Sequence, residues 1–329
     1  MKKTNFFALM LLLGISTCAL AVGGDMGGAD PNGSPEKPYL IEDIDDFDTF
    51  ADPNNAATYW AAGIHTKLTT DIDLSGRTYT TAVIAPDMDD GMTKHQGARF
   101  LGMFNGNRYT ISNMYINQPD SYYIGLFGFI ESSSEIEDLG LENAVVTGNS
   151  CGGLAGHCFG AISHCYVTGT ISGKENSGGL VGLQTGGGVI NNCYATVIVN
   201  GLDENVNIGG LVGLIYSSGT INSCYSISSV AGDSNVGSLV GMNGNGDINN
   251  CFSSGTVNGN VKIGGLVGYN YSGSVMNCYS TSAVNGDEKV GGLCGENSGG
   301  IINCSSSGSV TGSSFVGGLA GWNWGTISS

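Results

Sequence analysis

Residues 264–290 read GGLVGYNYSGSVMNCYSTSAVNGDEKV, and residue 291 begins the same phrase again as GGLCGENSGGIINC. Three landmarks recur in it: a Gly-Gly-Leu step, an Asn-Cys-Tyr step, and an isolated valine six residues past the cysteine. The leucines stand at 154, 180, 211, 239, 266, 293 and 319, separated by 26, 31, 28, 27, 27 and 26 residues. The cysteines follow at 165, 193, 224, 251, 278 and 304, and the aliphatics at Ile171, Val199, Val230, Val257, Val284 and Val310. Landmarks returning at so regular an interval mark a chain of stacked structural repeats.

Each repeat contains three short β-rich runs bounded by Gly, Asn or Ser, which predicts a three-sided coil of about 27 residues. Glycine and β-branched residues dominate, and no window holds an apolar 3.6-residue period over three turns, so the repeats are not helical. The expected fold is all-β, a right-handed parallel β-solenoid, with coils about 4.8 Å apart and equivalent residues above one another. Parity assigns the corners. Counting two, four and six from the cysteine gives Ala195, Val197 and Val199, or Ser280, Ser282 and Val284, as an inward row. The aliphatic three residues before the cysteine, as in Ile190, Ile221, Ile248 and Val275, has the opposite parity, so the chain must bend between them. Asparagine at that place tolerates the left-handed backbone a corner needs. The Gly-Gly pair serves the next corner, where close packing or positive φ excludes a Cβ.

These landmarks closely resemble the GLUG-motif repeat family of secreted and surface bacterial proteins, over roughly residues 120–329. The Gly-Leu-x-Gly core appears as Gly179-Leu180-Val181-Gly182, Gly210-Leu211-Val212-Gly213, Gly265-Leu266-Val267-Gly268, Gly292-Leu293-Cys294-Gly295 and Gly318-Leu319-Ala320-Gly321, with Ser238 breaking one further copy. Upstream, residues 100–113 look like the opening coil of such a protein. The resemblance implies an extracellular, often adhesive or envelope-associated role and no defined ligand; repeats of this family also accompany IgA-cleaving metallopeptidases.

The first residues read as an export signal, with Lys2 and Lys3 before an apolar run from Phe6 to Ile15 and Ala19-Leu20-Ala21 as the preferred cleavage site. The alternative is a lipoprotein anchored at Cys18, where Thr17 fits the required pattern poorly. No later stretch is long and apolar enough for a transmembrane helix. The domain plan is therefore a signal at 1–21, a flexible Gly/Asp/Pro-rich lead-in at 22–36, a cap with opening strands and an acidic loop at 37–99, and the solenoid at 100–329. The cap includes a short helix behind Asp43, because Ile44, Phe47, Phe50 and Ala51 fall at helical spacing. At the other end the pattern stops mid-coil, either a fragment or an open edge.

The formal net charge is −17, and removal of Lys2 and Lys3 with the leader leaves 9 basic residues against 28 acidic ones. Nucleic acid is thereby an improbable partner. Half of the acidic residues lie between Asp25 and Asp90, so an acidic head precedes a nearly uncharged body. None of His65, His95, His157 and His164 sits in the helical two-histidine motif of a metallopeptidase. The repeats offer only Lys174, Lys262 and Lys289 as bases, each at a corner or loop, which argues against a polysaccharide lyase or hydrolase and for a non-catalytic scaffold or adhesin-like module.

Three features remain as candidate sites. The cysteine ladder reads as core filler, since stacked parallel side chains poorly match a disulfide torsion. Cys151, His157, Cys158 and His164 form the one denser cluster; a metal site is the weak reading there and a Cys151–Cys158 disulfide the stronger. Tyr166, Tyr194, Tyr225, Phe252 and Tyr279 follow the cysteines by one residue and so face outward, a stripe able to stack on glycans or surface proteins, or merely to shield the sheet. No cofactor is called for. Calcium at Asp43, Asp45, Asp46 and Asp48, or at Asp87, Asp89, Asp90 and Gly91, is weaker than the reading of both clusters as solvated surface.

Overall fold

The computed structural model describes residues 26–27, 30–88, 95–203 and 206–329. The leader at 1–21, Cys18 included, and Asp89, Asp90 and Gly91 of the acidic loop lie outside the described residues. The fold is a β-solenoid of about 10 turns with short strands and two short helices.

One coil shows the construction. Val267–Asn270 lies on a wall that carries the repeat leucines, hereafter the Leu wall. Ser274–Met276 forms the next wall, the Ile wall, and after a sharp corner Tyr279–Ser280 and Ala283–Asn285 form the Tyr wall. A short strand, Glu288–Gly291, then leads across Gly292 into the next coil's Leu wall. The ladders are parallel and in register: Val267 pairs with Cys294, Val275 with Ile301, Val284 with Val310 and Val290 with Val316. Among the described residues the Ile wall has eleven strands, the Tyr wall twelve, the Leu wall eight and the short lead-in ladder six.

The interior follows the expected parity. The repeat leucines from Leu154 to Leu293, the aliphatics Ile190, Ile221, Ile248 and Val275, and the row of Val199, Val230, Val257 and Val284 are all buried. The bend that reconciles the two parities falls where sequence placed it: His164, Asn192, Ser223, Asn250, Asn277 and Asn303 have φ between 51° and 54°. The Gly-Gly step needs its glycines for close approach and not for positive φ. A Cβ on Gly264 would stand 2.0 Å from the Val267 carbonyl oxygen, and one on Gly265 would stand 2.1 Å from that of Gly292. The positive φ at this corner falls earlier, on Asn207, Asn235, Lys262, Lys289 and Phe315. Only asparagine among these residue types advertises the conformation.

A second polar column lies inside. Asn243, Asn270 and Asn297 are fully buried four residues past the leucines, and their amides form a chain: Asn243 Nδ2 donates to Asn270 Oδ1 at 3.1 Å, Asn270 to Asn297 at 2.8 Å, and Asn297 to Asn323 at 2.7 Å. An amide is both donor and acceptor, so identical residues stacked in register satisfy one another.

The cap helix forms at Ile44–Ala51, with the Asp43 carboxylate accepting from the backbone N–H of Asp45 and Asp46. Its Phe47 and Phe50 are buried, and Phe50 meets Phe104 with ring centroids 5.3 Å apart. The Ile wall already begins at Tyr39–Ile41, which pairs with His65–Leu68, so the solenoid's first strand precedes the cap helix. The described part of the lead-in is tied down: Met26 is buried, and the Gly33 carbonyl accepts the His65 N–H at 2.8 Å.

Leu266→Ala is expected to lower stability by about 2–5 kcal/mol, since neighbouring coils cannot collapse into the gap. Leu266→Asp should prevent cooperative folding, whereas Lys262→Ala should cost about 1 kcal/mol. Equal melting temperatures for Leu266→Asp and Lys262→Ala in thermal circular dichroism would contradict the inward face.

Candidate functional site

The stripe of Tyr166, Tyr194, Tyr225, Phe252 and Tyr279 runs up the outside of the Tyr wall, as parity requires. Tyr166 and Tyr194 have ring centroids 5.0 Å apart at an interplanar angle of 4°, and Tyr194 and Tyr225 are 4.8 Å apart at 2°. Phe252 tilts by 38° from Tyr225 at 6.4 Å, then packs on Tyr279 at 4.6 Å. The inner rings therefore spend their faces on one another and turn edges and hydroxyls to solvent. Tyr166 Oη donates to the Glu142 carboxylate at 2.6 Å; burial, and then this bond, push its phenol pKa up. Ile198 and Ile227 stand exposed on the same wall and widen the stripe into an apolar strip.

The cysteines point inward as a ladder. Cys165 N–H donates to Cys193 Sγ at 3.4 Å, Cys193 to Cys224 at 3.4 Å, Cys251 to Cys278 at 3.3 Å, and Cys278 to Cys304 at 3.3 Å. A sulfur at the corner thus accepts a backbone N–H that the bend takes out of the ladder. All nine cysteines of the described residues are free, Cys151 and Cys158 included, so the expected bridge between those two is absent. Burial pushes the Cys151 thiol up to about 11 and the Cys158 and Cys294 thiols up to about 12. Such thiols hold little thiolate at neutral pH.

The Cys151, His157, Cys158 and His164 cluster does not assemble. Cys158 faces inward, whereas His157 beside it on the same strand faces outward, and His164 stands at a corner with its side chain largely exposed. No group of three metal-binding side chains comes together among the described residues. His157 is instead boxed by aromatics: it stacks on Tyr123 at 5.0 Å, approaches Phe129 at 4.8 Å and Phe159 at 4.6 Å, and its Nε2 meets Thr185 Oγ1 at 2.8 Å. Burial, reinforced by His95 and Arg99, lowers its pKa to about 3.

The acidic clusters have structural work. Asp43 caps the helix with Asp45 and Asp46 as its N–H donors, Asp46 accepts the Glu42 N–H at 3.0 Å, and Asp48 pairs with Arg77. Asp87 accepts the Gln96 N–H at 2.7 Å. Charged groups converge elsewhere. A groove of about 420 Å³ between Pro35, Pro38 and the start of the Ile wall is lined by His65, Lys67, Glu135 and Glu137. On the Leu wall, Glu296 takes Lys289 at 2.8 Å and Lys262 at 3.5 Å, while Lys262 also lies 3.8 Å from the Tyr269 ring centre.

Tyr216, Tyr271 and Trp324 are exposed on the outer face of the Leu wall, a row that the one-coil landmarks do not single out. The signal was present: each stands five residues after a repeat leucine.

The GLUG motif profile matches residues 173–200, 232–258, 259–285 and 286–311. Halomucin of Haloquadratum walsbyi is 36% identical over 174 residues, which are 50% of this chain and 2% of that protein. A Gly-rich membrane protein, so named as a candidate, of Evansella cellulosilytica is 33% identical over 166 residues, 49% of this chain and 17% of that one. The chain thus spans a small part of either relative. A crystal structure of a candidate immunoglobulin A1 protease from Bacteroides ovatus superposes with a TM-score of 0.53 at 20% identity, covering 88% of this chain and 86% of that one. A second structure, an IgA1 protease, gives 0.50 at 15% identity over 78% of this chain and 21% of its own. At such identities the likeness concerns the fold alone.

Iodoacetamide on the folded protein is expected to reach Cys304 first and the other eight described cysteines only after denaturant, read by intact mass; rapid modification of Cys224 or Cys251 would contradict the buried ladder. A second expectation concerns acid. His157 is neutral when folded and titrates near its ordinary value when unfolded. The unfolded state therefore binds the extra proton between about pH 6.5 and 3, and folding stability falls as pH drops through that window by up to about 1.4 kcal/mol per pH unit. Urea denaturation at stepped pH should show this slope, and His157→Gln should flatten it.

Proposed function

We propose that this GLUG-motif repeat protein is a non-catalytic, secreted or cell-surface scaffold whose walls present repeated side chains for weak, multivalent contact with glycans or surface proteins. The observation that carries the reading is the apolar strip on the Tyr wall. It is long, outward and repeated at the coil spacing, so a ligand gripping one coil meets the same chemistry at the next. The names of halomucin and of the Gly-rich membrane protein agree with a surface setting. The weak charge of the solenoid body suits an adhesive wall better than electrostatic steering does. No helix among the described residues is long and apolar enough to cross a membrane, so attachment would come from other parts or other molecules.

A second reading has one observation in its favour. In the groove beside Pro35 and Pro38, the glutamates Glu135 and Glu137 stand on one strand facing Lys67 and His65, the kind of convergence a polysaccharide-cleaving site requires. Glu135 is exposed and Glu137 half-buried, whereas a general acid working at neutral pH is normally made by desolvation. The scaffold reading is therefore preferred, and release of reducing or unsaturated ends from polysaccharide would reverse the preference.

Comparison of Tyr225→Ala with a Tyr194, Tyr225, Phe252 and Tyr279 quadruple alanine variant tests the strip. On a glycan array and in pull-downs with surface proteins, the single variant should bind within about twofold of wild type and the quadruple should lose most binding. Wild-type binding by a folded quadruple variant would reduce the strip to shielding.

A further inference from the structure

The row five residues past each repeat leucine follows a rule of its own. It carries Phe159, Tyr216, Tyr271 and Trp324 on alternate coils, with Thr185, Gly244 and Ser298 on the coils between. The row is in register: the backbone N–H groups of Tyr216, Gly244, Tyr271, Ser298 and Trp324 each donate to the preceding coil at 2.7–2.9 Å. The aromatic period is thus two coils, about 10 Å.

Unlike the Tyr-wall stripe, the comb from Tyr216 to Trp324 keeps its faces free, whereas Phe159 at its start is stacked on Phe129 at 5.2 Å. Tyr216 is 68% exposed, Tyr271 55% and Trp324 72%. Tyr271 meets Tyr269 edge-on at 73°, and Trp324 meets Trp322 at 61°, so neither ring is covered by a stacked partner. Between Tyr216 and Tyr271 the missing side chain of Gly244 opens a trough of about 460 Å³, with Leu214 and Met242 on its floor and Asn245 and Ser272 on its rim. None of the lining residues is charged.

We propose that this comb is a binding site for an extended neutral polysaccharide, whose sugar rings lay their apolar C–H faces on successive aromatic side chains while Asn245 and Ser272 meet the hydroxyls between them. The lack of charge in the trough and the −17 of the whole chain select against a polyanion. The alternation selects against a compact ligand. A chain whose successive units are flipped, as in an extended β-1,4-linked glucan or mannan, presents the same ring face at every second unit, on the same scale as two coils. A protein ligand would want continuous apolar contact, which Thr185, Gly244 and Ser298 interrupt. The proposal rests on the reading of the chain as a binding scaffold and gives the Leu wall a site of its own beside the strip on the Tyr wall.

The test is retention on insoluble cellulose, xylan and mannan and in affinity gels containing soluble xylan or polygalacturonate. Wild type is compared with Tyr216→Ala/Tyr271→Ala, with Ser272→Asp and with a Tyr115→Ala control, an exposed aromatic that belongs to neither row, each first matched by circular dichroism. Retention of wild type on at least one neutral polymer, weakened about tenfold or more in the Tyr216/Tyr271 double variant and in Ser272→Asp but not in the control, supports the comb. Failure of wild type to bind any neutral polymer, preference for polygalacturonate, or undiminished binding by the double variant overturns it. Loss of binding in the control alone overturns the comb and leaves the scaffold reading standing. Comb-dependent binding accompanied by chain cleavage supports the comb and removes the non-catalytic reading.

Discussion

Every feature of this protein descends from one constraint: in a parallel in-register stack, each side chain sits on its own equivalent in the next coil. A residue type is acceptable in the walls only if it packs against itself at about 4.8 Å. Leucine, isoleucine and valine do so by shape. Asparagine does so because an amide donates on one side and accepts on the other, which gives the chain from Asn243 to Asn323. Cysteine does so because its sulfur accepts the neighbouring corner's N–H. Stacked carboxylates or ammonium groups would repel, and the walls of the solenoid body are correspondingly poor in charge. Where Glu296 enters the Leu wall it stands between Tyr269 and Trp322 and is held by two lysines, with no copy of itself above or below.

The same constraint explains how much could be read from the sequence. Leu266, Cys278 and Val284 each speak for a whole column, so periodicity and parity gave the coil, the inward faces and the Asn corner. What parity cannot see is conformation that residue type does not announce. Lys262, Lys289 and Phe315 adopt a left-handed backbone that nothing in a lysine or phenylalanine suggests. Nor does a one-coil repeat reveal a two-coil pattern: the alternation of Tyr216, Gly244 and Tyr271 disappears when each repeat is matched only to the next. The early Ile-wall strand at Tyr39–Ile41 escaped because the cap helix interrupts the period before it is established.

The two outward aromatic rows show what stacking does to a ring. Where aromatics recur on every coil, as from Tyr166 to Tyr225, the rings close over one another at 4.8–5.0 Å and offer edges and hydroxyls to a partner. Where they recur on every second coil, the gaps leave faces accessible and a trough between them. One residue exchanged on every second coil thus decides whether a surface offers ring edges or ring faces. The likeness to structures named as immunoglobulin A1 proteases belongs to the stack itself and is neutral on which of these surfaces is used.

The hydrogen bonds between coils run along the rod, from Leu266 to Leu293 and from Leu293 to Leu319 on the Leu wall, for example. A pull along the rod therefore loads successive coils in series, so that one coil can yield while its neighbours hold. Each yielding coil frees about 27 residues, or roughly 90 Å of extended thread, while those behind it stay folded. Under tension the molecule would act as a paid-out tether, with a sawtooth of nearly equal teeth in single-molecule force spectroscopy, so that a surface held by it gives ground in steps before it lets go.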